Sequence, residues 1–118
     1  MPEDNPFYNN NDYLPEIFVL GVRNPFRCSF HSSRPYLMYV ADVGQNAWEY
    51  VHVVDTRAVV AEGGAVTNLG WPIFEGFRCN TDSRTFPVDQ DVCESFRTIT
   101  QFPIFEYANL GGTSGTKI

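Results

Sequence analysis

Tyr36-Leu37-Met38-Tyr39-Val40-Ala41-Asp42-Val43-Gly44-Gln45-Asn46-Ala47-Trp48-Glu49-Tyr50-Val51-His52-Val53-Val54-Asp55 is the stretch on which the fold turns. Two short runs rich in Val and Tyr, Tyr36–Ala41 and Glu49–Val54, flank a polar segment that contains Asp, Gly, Gln and Asn. β-branched and aromatic side chains suit a pleated surface, and runs this short are ordinary strand lengths. The second run alternates weakly, with Tyr50, His52 and Val54 set against Val51 and Val53. Such weak alternation is expected of strands covered on both faces.

Working outward, Ser32-Ser33-Arg34-Pro35 reads as a turn before the first run. Glu16-Ile17-Phe18-Val19-Leu20 predicts another strand, ended by Gly21. Met1–Pro15 is dense in Asn, Asp and Pro and reads as a loop. Downstream, Arg57–Ala61 reads as a fourth strand or a loop, ended by Gly63-Gly64. Phe102–Tyr107 reads as a late extended segment, and its Pro103 suits a sheet edge or a strand entry. No long stretch carries a capped 3.6-residue period, so the fold class is all-β.

The chain also repeats itself faintly. Pro72-Ile73-Phe74-Glu75 returns as Pro103-Ile104-Phe105-Glu106, and Pro25-Phe26-Arg27-Cys28 is echoed by Gly76-Phe77-Arg78-Cys79. Echoes among short strands point to propeller blades of about 40–50 residues. Residues 1–118 then hold two to three blades, whereas a ring needs at least about four. Either the chain is a piece of a ring or the propeller reading fails.

The 118 residues carry 14 Asp and Glu against 8 Lys and Arg, a net charge of −6. Apolar residues make up 43% and charged residues 19%, which is globular rather than disordered composition. The acidic balance argues against a nucleic-acid partner. No apolar run approaches the length that spans a bilayer. Three cysteines leave an odd thiol. Cys79 and Cys93 flank a polar stretch that a bridge would hold together, at about 3 kcal/mol for a loop of that size. The alternative is unpaired thiols. Cys28 would then look for its partner outside the chain.

Three segments invite chemistry. Gly21-Val22-Arg23-Asn24-Pro25 sets a guanidinium beside a carboxamide at a loop tip, which suits a carboxylate-rich planar ligand or an ordinary internal ion pair. Asp42-Val43-Gly44-Gln45-Asn46 is a turn whose main-chain carbonyls could hold Ca²⁺, with Glu49 close behind as a hard-cation ligand or an exposed strand residue. Asn68-Leu69-Gly70-Trp71-Pro72 packs an indole between turn residues. Cys28-x-x-His31 lacks a second half for zinc. His31 and His52 stand alone, and the acidic Asp89, Asp91 and Glu94 read as a solvated loop.

These segments occur in one order: Asp4-Asn5-Pro6-Phe7, Gly21-x-Arg23-Asn24-Pro25, Asp42-Val43-Gly44-Gln45-Asn46-x-x-Glu49 and Asn68-x-Gly70-Trp71-Pro72-x-x-Glu75-Gly76. The series resembles the glucose/sorbosone dehydrogenase family of soluble quinoproteins across nearly the whole chain. The resemblance implies part of a six-bladed β-propeller that oxidises the C1 hydroxyl of aldoses with pyrroloquinoline quinone (PQQ) and Ca²⁺. It implies that Arg23 and Asn24 contact the cofactor, and that the carbonyls of Gly44 and Gln45 ligate its Ca²⁺. Glu49 and the carbonyl of Leu69 match a second, structural Ca²⁺. In the family a His base takes the hydroxyl proton while hydride passes to the quinone; no His here falls at that position. The expected catalytic contribution of this chain is therefore none, and the remaining blades lie outside it. Arg27-Cys28, Glu75-Gly76-Phe77-x-Cys79, Cys93 and Pro103-Ile104-Phe105-x-Tyr107 are more similar to the secreted hedgehog-interacting-protein-like branch. For that branch the implied alternative is a non-catalytic extracellular propeller that binds a protein ligand rather than a sugar. Met1–Pro6 has no signal-peptide character, so a leader would lie upstream.

Overall fold

The computed structural model describes residues 1–45, 47–60, 66–81 and 87–109. Its main feature is a four-stranded antiparallel sheet made of β1 (Pro25–His31), β2 (Arg34–Asp42), β3 (Trp48–Asp55) and β6 (Phe105–Ala108), in the order β1-β2-β3-β6. Two short strands, β4 (Phe74–Glu75) and β5 (Arg78–Cys79), form a separate hairpin. The architecture is mostly β and antiparallel, as composition and run length predict. The two decisive runs become β2 and β3. Pro103 stands just outside β6, which occupies a sheet edge, as a proline entering an edge strand should.

Register explains which face is buried. Met38, Val40 and Asp42 of β2 pair with Val54, His52 and Tyr50 of β3. Directly paired residues share a face, so these six side chains point the same way. Val40, Asp42, Tyr50, His52 and Val54 are all buried there. Val51 and Val53, on the other face, are only half-buried. The expectation of two covered faces therefore holds for one face alone. Val40 and Val54 join Val59 and Leu69 in the core, flanked by Phe18, Val19, Val22 and Met38.

Four local expectations differ from the structure. Glu16–Leu20 is not a strand. Only Leu20 bridges, in parallel to Asn68, through Leu20 N–H to the Thr67 carbonyl (2.9 Å) and Leu69 N–H to the Leu20 carbonyl (2.8 Å). Phe18 and Val19 instead pack their side chains against the core. Conversely, Pro25–His31 forms β1, where a loop tip was read to begin. Its alternation of Phe26, Cys28 and Phe30 with Arg27, Ser29 and His31 is a strand signal. Thr56–Val59 is one helical turn (α1), neither strand nor loop, because the Asp55 side chain accepts the Arg57 N–H (3.0 Å) and caps it. Val59 anchors that turn in the core; Ala61 and Gly63-Gly64 lie outside the described residues.

The fourth is the acidic cluster, which sits on a short helix, α2 (Gln90–Phe96), continued by a 3₁₀ turn, Arg97–Ile99. Asp89 caps α2 by accepting the Asp91 N–H at 2.9 Å, and Glu94 pairs with Arg97 at 2.8 Å. Its carboxylates remain in solvent, so the exposure was read correctly and the backbone was not. Cys93, fully buried on α2, is disulfide-bonded to Cys79 on β5. Cys28 is free and exposed on β1. The internal echo has a structural counterpart: Arg27-Cys28 and Arg78-Cys79 both lie in strands, and Phe74 and Phe105 each open one.

Candidate functional site

Asp42 ends β2 and is 2% exposed. Its carboxylate accepts the N–H of Arg23 at 3.0 Å and that of Asn24 at 2.7 Å. Burial pushes its pKa up, and those N–H groups and the Arg23 charge oppose the rise. Asp42 is thus the clamp that ties the Gly21–Asn24 loop to the end of the sheet. The Val43 N–H completes the tie by donating to the Asn24 carbonyl at 3.1 Å.

Arg23, so held, reaches across the turn. Its Nη1 donates to the carbonyls of Val43 (3.1 Å) and Gly44 (3.0 Å). The guanidinium also lies 5.6 Å from the Trp71 ring centroid, within cation–π range. Trp71 is brought there by its own N–H, which donates to the Gly21 carbonyl at 3.0 Å. Gly21 takes φ 76°, and a Cβ there would come within 2.2 Å of Asn68 Oδ1 and 2.6 Å of Gly70 N. The three loops predicted from sequence to carry chemistry therefore meet at one place.

The floor of the turn is equally tight. A Cβ on Gly44 would sit 1.5 Å from the Trp48 carbonyl oxygen and 2.9 Å from Glu75 Oε1. The Gly44 N–H donates to Glu49 Oε2 at 2.9 Å, and Glu49 Oε1 accepts from Asn109 Nδ2 at 2.7 Å. Glu75, 6% exposed, accepts the Ala47 N–H at 3.2 Å. Gln45 is half-buried in the same turn, and the Asn24 residue is exposed at its rim. Leu69 is buried in the core, with its N–H on Leu20. Arg23, Asn24, Gly44, Gln45 and Glu49 thus gather around one turn, whereas Leu69 and Glu49 are engaged on different partners.

Among the described residues, no three His, Cys, Asp or Glu side chains are grouped as a metal site. The oxygens seen to converge on a positive group are the main-chain carbonyls of Val43 and Gly44, and the cation seated on them is Arg23 itself.

Two buried neighbours were not singled out by the sequence reading of this site. Among the described residues Tyr50 Oη is buried without a hydrogen-bond partner, and burial with the nearby Asp42 and Glu75 charges raises its pKa. Its ring meets His52 edge-on at 5.5 Å. His52 is completely buried, and among the described residues neither ring nitrogen has a hydrogen-bond partner. Burial lowers its pKa to about 4, opposed weakly by the adjacent Gln101 main chain. Their inward face follows from the pairing of β3, a signal the period of two carries once the register is known. His31 sits at the β1–β2 turn, where its Nδ1 accepts the N–H groups of Ser33 and Arg34, both at 3.1 Å.

No protein-family model matches the chain, and no solved structure matches it. Two curated proteins of Arabidopsis thaliana are similar. One, named HIPL1 protein, is 45% identical over 76 residues, 64% of this chain and 10% of its own length. The other, named HIPL2 protein, is 43% identical over 76 residues, again 64% of this chain and 10% of its own length. The chain spans about a tenth of the length of these relatives. Their names support the hedgehog-interacting-protein-like side of the sequence resemblance. The Cys79–Cys93 disulfide is compatible with an extracellular protein. Among the described residues, no helix is long and apolar enough to cross a membrane.

Proposed function

We propose that the chain is part of an extracellular β-propeller of the hedgehog-interacting-protein-like type, and that the turn around Arg23 forms one rim of a site for PQQ and Ca²⁺. A four-stranded antiparallel sheet whose outer strands, among the described residues, are β1 and β6 supports a blade. The single observation that carries the ligand reading is the seat of Arg23 on the carbonyls of Val43 and Gly44. A guanidinium held at a loop rim is a carboxylate receptor. Carbonyls that converge on a positive group form an oxygen set of the kind a hard cation takes.

PQQ, when bound, supplies a quinone that accepts two electrons from an alcohol such as an aldose. This chain's part is to hold. Arg23 would neutralise a ligand carboxylate, Asn24 would line the rim beside it, and the carbonyls of Gly44 and Gln45 would hold the metal. Asp42 positions Arg23 and Asn24 by their main-chain N–H groups and touches no ligand. The base and the remaining cofactor contacts belong to other parts of the intact protein.

Calorimetric titration of PQQ into the intact protein, with and without Ca²⁺, tests this reading. Saturable, Ca²⁺-dependent binding is expected, weakened about thirtyfold or more by Arg23→Ala, the loss of one charge-assisted contact. No heat of binding under either condition overturns it.

A second reading has its own support. Arg23, Asp42 and Glu49 already satisfy one another's neighbourhood within the chain, and the relatives carry names of the hedgehog-interacting-protein-like group. On this reading the loop cluster is a structural latch, and the propeller binds an extracellular protein without catalysis.

A further inference from the structure

Cys93 is the one buried residue of α2, and its bond to Cys79 on β5 is what fastens that helix to the molecule. A helix of seven residues does not hold its shape in water alone. Just past it, the Arg97 guanidinium lies over the rings of Phe74 (5.2 Å) and Phe102 (5.5 Å). Those two rings meet edge to face at 4.9 Å, and Phe77 stacks on Phe102 at 5.9 Å. α2 and Arg97 thus form a flap beside an aromatic cluster.

The β4–β5 hairpin has anchors of its own. The Asn80 N–H donates to the Ile73 carbonyl at 2.9 Å, and its Nδ2 donates to the Pro72 carbonyl at 3.0 Å. The Phe77 N–H donates to Glu106 Oε2 on β6 at 3.0 Å, and Glu75 accepts the Ala47 N–H at 3.2 Å. On the entry side of α2, by contrast, the Val88 N–H reaches the Asn80 carbonyl only at 3.3 Å. Breaking the bridge therefore leaves the hairpin seated and sets α2 free.

The bridge is reachable from one side, because Cys79 is half-buried while Cys93 is closed off. Gln90 Nε2 donates to Cys79 Sγ at 3.4 Å, and Arg97 Nη2 does so at 3.8 Å. Glu94 Oε1 stands 3.7 Å from the same sulfur, but Arg97 and Gln90 already hold it, each at 3.0 Å. Negative charge arriving on the Cys79 sulfur is thus received by a cation and an amide.

We propose that Cys79–Cys93 is a thiol-operated latch: a dithiol reductant, free or on the surface of a second protein, opens it and releases α2 from the cluster of Phe74, Phe77 and Phe102, while the sheet and the hairpin stay folded. A thiolate of the reductant attacks Cys79 Sγ. The Cys79–Cys93 bond breaks, and the Cys93 sulfur leaves with the electron pair and takes a proton. The reductant's second thiolate then closes its own disulfide, and Cys79 leaves as a thiolate onto Arg97 and Gln90. The cystine is reduced by two electrons, the dithiol is oxidised by two, and the second proton goes to solvent.

The test is hydrogen exchange of the intact protein, read by mass spectrometry with and without dithiothreitol, after the free Cys28 has been alkylated. Reduction should speed exchange across Gln90–Phe96 about a hundredfold, as expected for opening a loop of this size, and leave β2 and β3 as protected as before. Unchanged exchange in α2 overturns the latch. Equal acceleration in β2 and β3 also overturns it, because the bridge then holds the whole fold. A second measurement needs no change in the bridge: Arg97→Gln should slow reduction by dithiothreitol about threefold or more, since it removes the charge that receives the Cys79 thiolate. A rate equal to the parent's removes Arg97 from the latch and overturns its operation as written.

Discussion

The Arg23 guanidinium donates to the carbonyl oxygen of Gly44 at 3.0 Å across 21 residues of chain. The contact joins the loop before β1 to the turn after β2, and it exists because Asp42 holds the Arg23 main chain at 3.0 Å. A buried carboxylate that accepts two main-chain N–H groups organises everything nearby.

Asp42→Ala should therefore cost more than a surface change. It leaves the N–H groups of Arg23 and Asn24 without their acceptor, at about 2–3 kcal/mol in total. Urea unfolding of the intact protein should show a lowered midpoint with an unchanged slope. An unfolding free energy within about 0.5 kcal/mol of the parent's contradicts the clamp.

His52 makes stability depend on pH. Its folded pKa, about 4, lies below the ordinary 6.5, because the buried ring resists protonation. Between these values the unfolded chain binds the proton and the folded chain does not. Stability is complete above about pH 6.5 and falls as the pH drops toward about 4, by about 3 kcal/mol in all. His52→Leu should flatten this part of the profile, as read from thermal midpoints at several pH values. An unchanged slope in the variant places the acid sensitivity elsewhere.

Gly44→Ala should be among the most damaging single changes. The new methyl would meet the Trp48 carbonyl at 1.5 Å, a main-chain atom that cannot rotate away. The turn must open, costing about 3 kcal/mol or more. Thermal unfolding should show the drop, and a midpoint equal to the parent's would mean that the turn is looser than its geometry.

The outer strands predict behaviour of the chain on its own. β1 exposes Phe26 (71%) and Phe30 (59%), and β6 exposes Phe105 (57%). Among the described residues both are the outer strands of the sheet, where edge N–H and carbonyl groups invite pairing. The 118-residue chain by itself should self-associate in sedimentation. A sharp, concentration-independent unfolding of a monomer would show that the edges are tolerated.

How much was legible in advance depended on the range of the interaction. The β2 and β3 runs announce themselves through their Val and Tyr residues, and the Cys79–Cys93 loop through its length. These are properties of neighbouring residues. Glu16–Leu20 has the same local character as a strand, yet its side chains find the core before its backbone finds a partner. Phe26–His31 alternates, and only pairing with Val40 and Met38 makes that alternation a strand. Asp55 follows the Glu49–Val54 run, and in the structure it closes β3 and starts α1, because its side chain captures the next turn's N–H.

The order of residues alone determined a β-rich chain, its two central strands and the loops that hold Arg23, Gly44 and Trp71; of the two readings it left for Cys79 and Cys93, the structure shows the disulfide. Only tertiary structure decided that Arg23 faces inward onto the Gly44 carbonyl, and that Tyr50 and His52 lie buried without hydrogen-bond partners. The reason is physical: strand propensity is set by neighbours along the chain, whereas the destination of a guanidinium or an imidazole is set by which carbonyls and faces the sheet register brings within about 3 Å.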